Sequence, residues 1–184
     1  NYAIVIMSQD YFADTSFEKK EFTIEPLSKG EYEKCIFSHC NFSSSNLKSI
    51  AFIDCIFDNC NLSNALLNDT SFNNVQFKEC KLLGLHFEAC NQFGLQVQFE
   101  NCNLSHASFF HTKLKKTIFK SIKLHEADFT GCDLSEATFN ECDLKDAKFE
   151  NTNLEKADLI TSFNYIIDPQ LNRFNADYAL EHLS

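Results

Sequence analysis

A chain of 184 residues, 44% of them hydrophobic, has the length of one domain and enough apolar material for a sizeable core. Its net charge of −10 and pI near 5.0 argue against direct binding to nucleic acid, whose phosphates attract basic surfaces. No apolar run approaches the roughly 20 residues of a membrane-spanning helix, and four glycines leave no phosphate-cradling loop.

The lead segment, residues 1–11, opens with apolar Asn1–Ile6, too short and without the basic flank of a signal peptide. Met7, the only methionine, can equally be the natural start.

From residue 12 to 161 the chain follows one rule: every fifth residue is Phe or Leu, with few exceptions. The series runs from Phe17 through Phe22, Leu27, Tyr32 and Phe37 to Leu82 and Phe87, then resumes at Phe99 and continues to Leu154 and Leu159. A period of five fits neither the helical 3.6 nor the strand 2, so it marks a repeat architecture. Two places before each centre stands a small residue, as at Cys40, Cys60, Ala127 and Cys132. One place before it stands Asn or Asp in many units, as at Asn61, Asp128 and Asp143.

These units, such as Cys-Asn-Leu-Ser-Asn at 60–64 and Ala-Asp-Phe-Thr-Gly at 127–131, resemble those of the pentapeptide repeat family. The resemblance implies an all-β solenoid, a right-handed quadrilateral β-helix. Each unit makes one side and four make a coil; the centre and the residue two before it point inward.

Reading every twentieth residue tests four-sidedness. The first wall reads Phe17, Phe37, Phe57, Phe77, Phe99, Phe119, Phe139 and Leu159, provided that one coil carries two extra residues. The second holds Phe22, Phe42, Leu62, Leu82, Leu104, Leu124 and Leu144; the third runs from Leu27 to Phe87 and Phe149. The fourth reads Tyr32, Phe52, Phe72, then a missing centre placed near Phe93, then Leu114, Leu134 and Leu154. Residues 91–98, with Gly94 and Leu95, are expected to form a local bulge or short loop. About seven coils at about 4.8 Å each make a column roughly 35 Å tall.

Eight of the nine cysteines stand two before a centre. They are expected as buried free thiols serving as small hydrophobes, which suits a reducing compartment and points to the cytoplasm. An odd number argues against a disulfide framework, and the five-residue spacing argues against a zinc site. The six histidines fall at outward positions or in the tail, so no catalytic residue, metal or cofactor is expected and the chain does not read as an enzyme.

Past the middle of the repeat, Lys113, Lys115, Lys116, Lys120 and Lys123 form a basic belt. Glu126, Asp128, Asp133, Glu136, Glu141, Asp143, Asp146, Glu150, Glu155 and Asp158 follow, against Lys145, Lys148 and Lys156. All are at outward positions, so the last coils are a candidate surface for a basic protein partner.

In the tail, residues 162–184, Asp168-Pro169 reads as a helix start. Leu171, Phe174, Tyr178 and Leu180 or Leu183 then offer one apolar stripe, a cap for the last coil or a dimer contact. Ile167-Asp168-Pro169, with Asn172 and this stripe, resembles the tail of the quinolone-resistance (Qnr) and mycobacterial fluoroquinolone-resistance branch. That resemblance implies a homodimer joined at the C-terminal end, a DNA-like acidic surface, and DNA gyrase or topoisomerase IV as partner. The competing expectation is a structural or adaptor scaffold for another protein.

Overall fold

The computed structural model describes residues 10–174. The chain is a parallel all-β solenoid of about seven turns, with no α-helix among the described residues. Its strands are β1 (Asp10–Ala13), β2 (Ser16–Glu18), β3 (Gly30–Glu33), β4 (Ile36–Ser38), β5 (Ala51–Ile53), β6 (Ile56–Asp58), β7 (Ser71–Asn73), β8 (Val75–Lys78), β9 (Val97–Glu100), β10 (Ile118–Lys120) and β11 (Thr138–Asn140). The first wall is a seven-stranded sheet in the order β2-β4-β6-β8-β9-β10-β11. The upper part of the fourth wall is the four-stranded sheet β1-β3-β5-β7. The second and third walls, and the lower fourth, are held by single parallel bridges, such as Asn41↔Asn61, Ser108↔Asp128 and Asp133↔Asn153.

Pairing is a translation by twenty residues. Phe17 lies opposite Phe37, Phe37 opposite Phe57, and Phe119 opposite Phe139. Only at the interrupted coil does the step change, where Phe77 pairs with Phe99. The rings of this wall stack at 4.6–5.5 Å between centroids and lie within 18° of parallel. Rings on adjacent walls meet edge to face, as Phe119 and Phe129 do at 6.0 Å and 89°. Both geometries suit the aromatic quadrupole, so a four-walled column can be filled with stacked phenylalanine rings.

The small residue two before each centre has a second role. Cys60 Sγ donates to the carbonyl of Phe37 at 3.2 Å, and Thr70 and Thr152 hydroxyls donate to Leu47 and Phe129 carbonyls at 2.8 and 2.9 Å. The donor thus satisfies a carbonyl in the coil before it. All nine cysteines are buried and free.

On the walls held by single bridges, most corners come from hydrogen-bonded turns that start at the centre. The amide of Cys132, for example, donates to the carbonyl of Phe129 at 3.1 Å. The residue two after the centre takes positive φ in most units, as at Ser44 (55°), Asn64 (57°), Gly131 (69°) and Lys156 (57°). That is the demand of a type II turn at its third position. Asn and Asp tolerate it, while Lys, Glu and Ser are held there by the pairing on either side.

Two expectations are corrected. Phe93 does not fill the missing centre of the fourth wall: it is 92% exposed, and Leu95 turns toward the core instead. The reason is local. Asn91 Oδ1 accepts from the Phe93 amide at 3.0 Å, and Gln92 Nε2 donates to the carbonyls of Phe87 and Cys90, both at 3.0 Å. Those bonds fix the chain with Phe93 on the outside and spend the two extra residues before Leu95.

The second correction concerns the tail. Residues 168–174 form no helix. Asp168 Oδ1 accepts from the Gln170 amide at 2.8 Å, a turn rather than a cap, and Arg173 pairs with Asn153. Phe174 is packed against the core twenty residues after Leu154, so it continues the fourth wall. Asn172 ties this segment to the preceding coil: its Oδ1 accepts from the Thr152 amide at 3.0 Å and its Nδ2 donates to the Phe149 carbonyl at 2.7 Å. Leu171 is exposed. Tyr178, Leu180 and Leu183 lie outside the described residues. No helix among the described residues is long and apolar enough to cross a membrane.

Candidate interaction surface

The interior of the column is filled by its own side chains, so whatever this protein recognises meets its outside. The ten carboxylates from Glu126 to Asp158 stand against three lysines over the same span, a local charge of 3 − 10 = −7. The register spreads them over all four walls. Glu141 and Asp158 lie on the first, Glu126, Asp143 and Asp146 on the second, Asp128 and Glu150 on the third, and Asp133, Glu136 and Glu155 on the fourth. The acid therefore forms a band around the column, not a stripe along one side.

Their roles differ. Asp128, Asp133, Asp143 and Asp158 each precede a centre, and one carboxylate oxygen of each accepts from the amide two residues on, at 2.9–3.3 Å. Asn41, Asn46, Asn61, Asn103 and Asn153 do the same. These are Asx turns, and they explain in physical terms why the unit favours Asn or Asp at this place. The four aspartates build the coil, and the second oxygen of Asp143 is itself engaged by His125.

Others are partnered. Glu136 meets Lys115 and Lys116 at 3.2 and 3.5 Å, and the hydrogen bond from Lys115 helps hold its carboxyl below the usual range. Glu155 meets Arg173 Nε at 3.0 Å. Asp143 receives His125 Nε2 at 2.6 Å and Asn164 Nδ2 at 2.8 Å; burial opposes its ionisation, but these bonds outweigh it and its pKa is lowered. His106 stands 3.5 Å from Glu126. Glu141, Asp146 and Glu150 have no ion pair among the described residues, and all three are exposed. The lysine belt is thus partly spent on the acidic band: Lys115 and Lys116 reach down to Glu136, while Lys120 turns up to Glu100 at 2.6 Å.

Beside the acid the last turns expose apolar groups. Ile160, Phe163, Ile166 and Leu171 are each at least half exposed. A shallow cavity of about 330 Å³ lies between Phe149, Ile166 and Leu171, with Asp146, Glu150 and Asp168 on its rim. Neither the ion pairs nor the exposed apolar edge was legible from residue types; both depend on which residues stand twenty apart.

Comparison with known proteins gives the column its relatives. A family model described as "Pentapeptide repeat region" matches residues 31–96 and 95–162, well over half of the chain. Among solved structures, a trypsin-treated form of QnrB1, a plasmid-mediated fluoroquinolone resistance protein, is 18% identical with a TM-score of 0.51, over 91% of this chain and 93% of that one. HetL, a pentapeptide repeat protein involved in heterocyst differentiation regulation from the cyanobacterium Nostoc sp., is 18% identical with a TM-score of 0.32, over 85% and 83%. No curated protein matches. At 18% identity the likeness to QnrB1 is one of fold, and the repeat match settles membership: the chain belongs to the pentapeptide repeat family.

Proposed function

We propose that this is a non-enzymatic binding protein that works in the cytoplasm and presents the acidic band of its last coils to a basic protein partner, with DNA gyrase or topoisomerase IV as the candidate. The observation that carries the reading is the band itself, in which Glu141, Asp146 and Glu150 are exposed without an ion pair among the described residues, around a column with a filled interior. A slim rod with carboxylates on every side can enter a groove built for duplex DNA, because the groove's lysines and arginines meet negative charge whichever wall faces them. The likeness to a fluoroquinolone resistance protein supports the choice of enzyme. Two copies meeting at the C-terminal end, through Ile160, Phe163, Ile166 and Leu171, would bury the apolar edge and join two bands into one.

A supercoiling titration of gyrase, with and without a fluoroquinolone, is the test. The expected result is a dose-dependent change in supercoiling or in drug-induced cleavage that weakens with salt and is lost when Glu141, Asp146 and Glu150 are changed to Lys. An inert titration at a tenfold excess over gyrase overturns the topoisomerase assignment. A second reading, a scaffold for some other protein, is favoured by the four aspartates whose carboxylates are engaged in turns. Under that reading the charge reversal leaves partner capture unchanged.

A further inference from the structure

The first wall has an outward face unlike the other three. Where the second wall carries Asn41, Asn61, Lys81, Asn103, Lys123 and Asp143 just before its centres, the first carries Ile36, Ile56, Gln76, Gln98, Ile118 and Thr138. Just after its centres it carries Ser38, Asp58, Lys78, Glu100, Lys120 and Asn140. Ile36 and Ile118 are 41% and 42% exposed, on the seven-stranded sheet, the larger of the two sheets among the described residues.

Read from either end about the level midway between Gln76 and Gln98, the four central levels of the first column are the same: Ile, Gln, Gln, Ile; the outer pair, Ile36 and Thr138, differ. The second column reads minus, plus, minus, plus, so reversal turns every charge into its opposite. A face with this symmetry is complementary to itself turned over.

We infer that the first wall is a contact surface for a second copy of this chain, docked face to face with the column reversed. A two-fold axis along the strands, between the levels of Gln76 and Gln98, maps each outward column onto its own counterpart. It sets Ile56 against Ile118 of the second copy, Gln76 against Gln98, Asp58 against Lys120 and Lys78 against Glu100; Lys120 and Glu100, ion-paired within one chain at 2.6 Å, exchange that contact for these partners. Such a contact is isologous, the form that closes a dimer. A parallel arrangement sets the charged column against isoleucine and glutamine and gives no such pairing. A depression of about 160 Å³ among Gln76, Gln98, Glu100, Ile118 and Lys120 lies beside the axis.

The size of the face sets the strength. Six levels at about 4.8 Å and a width near 12 Å give roughly 350 Å² per copy, well under the standard interface. The association is therefore weak and concentration-dependent, and it is separate from any contact at the C-terminal end.

The test is cross-linking with a short bis-maleimide at about 100 μM protein. The nine native thiols are buried and do not compete. Ile56→Cys and Ile118→Cys chains are prepared separately, checked by circular dichroism, and treated alone or mixed. In the reversed dimer only unlike residues face each other, so the mixture should yield about tenfold more covalent dimer than either chain alone. Equal yields in all three samples, or no dimer in the mixture, overturn the inference. Should either isoleucine variant unfold, Ser38→Cys with Asn140→Cys makes the same comparison from the neighbouring column. A contact at the C-terminal end alone gives no excess in the mixture, so the two associations are distinguished by this result.

Discussion

Phe57 shows what a centre contributes. It is fully buried, stacked at 4.8 and 5.1 Å on Phe37 and Phe77, and met edge-on by Phe52 at 5.2 Å. A solenoid coil cannot collapse onto a missing ring, because the coils above and below fix its walls. Phe57→Ala should therefore cost about 3–5 kcal/mol in chemical denaturation, the range of an aromatic truncation that leaves its cavity open. The thiols behave differently. Burial pushes Cys55 up to about 12 and Cys132 and Cys142 up to about 11. Cys40 and Cys80 are raised by hydrogen bonds to neighbouring thiols and by burial. A thiol reagent at pH 8 should label none of these five in the folded protein and all of them in denaturant, since only the thiolate reacts.

At the level of the unit, the Asx turn and the bonds of Asn172 carry the next expectation. Asn172 serves two backbone groups near the end of the described residues, and Asn172→Ala removes its bonds to the Thr152 amide and the Phe149 carbonyl. A loss of about 1–3 kcal/mol is expected, with faster amide exchange confined to residues near 149–154. This end is also where the sequence misleads. The walls are legible because centres recur at twenty, and each wall keeps Phe or Leu for several coils. Asp168-Pro169 carries the signature of a helix start, yet an aspartate with the same turn precedes Leu134 and Leu144. The spacing of twenty from Leu154 to Phe174 held the answer, and it competed with a local motif. Phe93 failed for a related reason: an aromatic near a vacant centre suggests burial, but side-chain hydrogen bonds from Asn91 and Gln92 settle which residue turns in. The acidic residues were legible as a group, while their division into turn builders, ion-paired groups and open carboxylates required the register.

For the whole column, charge and pH act together. Asp143 has a depressed pKa in the folded state, so it contributes stability above the ordinary carboxylate value of 3.8. That contribution disappears as pH falls through the lower folded value. Wild type should lose stability below about pH 4, and Asp143→Asn should start less stable at pH 7 and show a shallower acid slope in the same denaturation series.

The coil of twenty-two residues has a consequence for how the chain finds its fold. A column in which every coil repeats after twenty residues is nearly degenerate: a folding segment displaced by one whole coil meets the same apolar walls and the same turns. Such slips are the characteristic error of repeat chains, and a single coil of odd length makes them costly, since a slipped segment would set a coil of twenty against one of twenty-two. The insertion, which buries nothing of Phe93, acts as an index mark on an otherwise uniform thread. Deleting Phe93 and Gly94 should leave the equilibrium midpoint within about 1 kcal/mol of wild type, because no core residue is lost. Refolding, followed by far-ultraviolet circular dichroism, should become slower and multiphasic, as chains caught one coil out of step unravel and begin again.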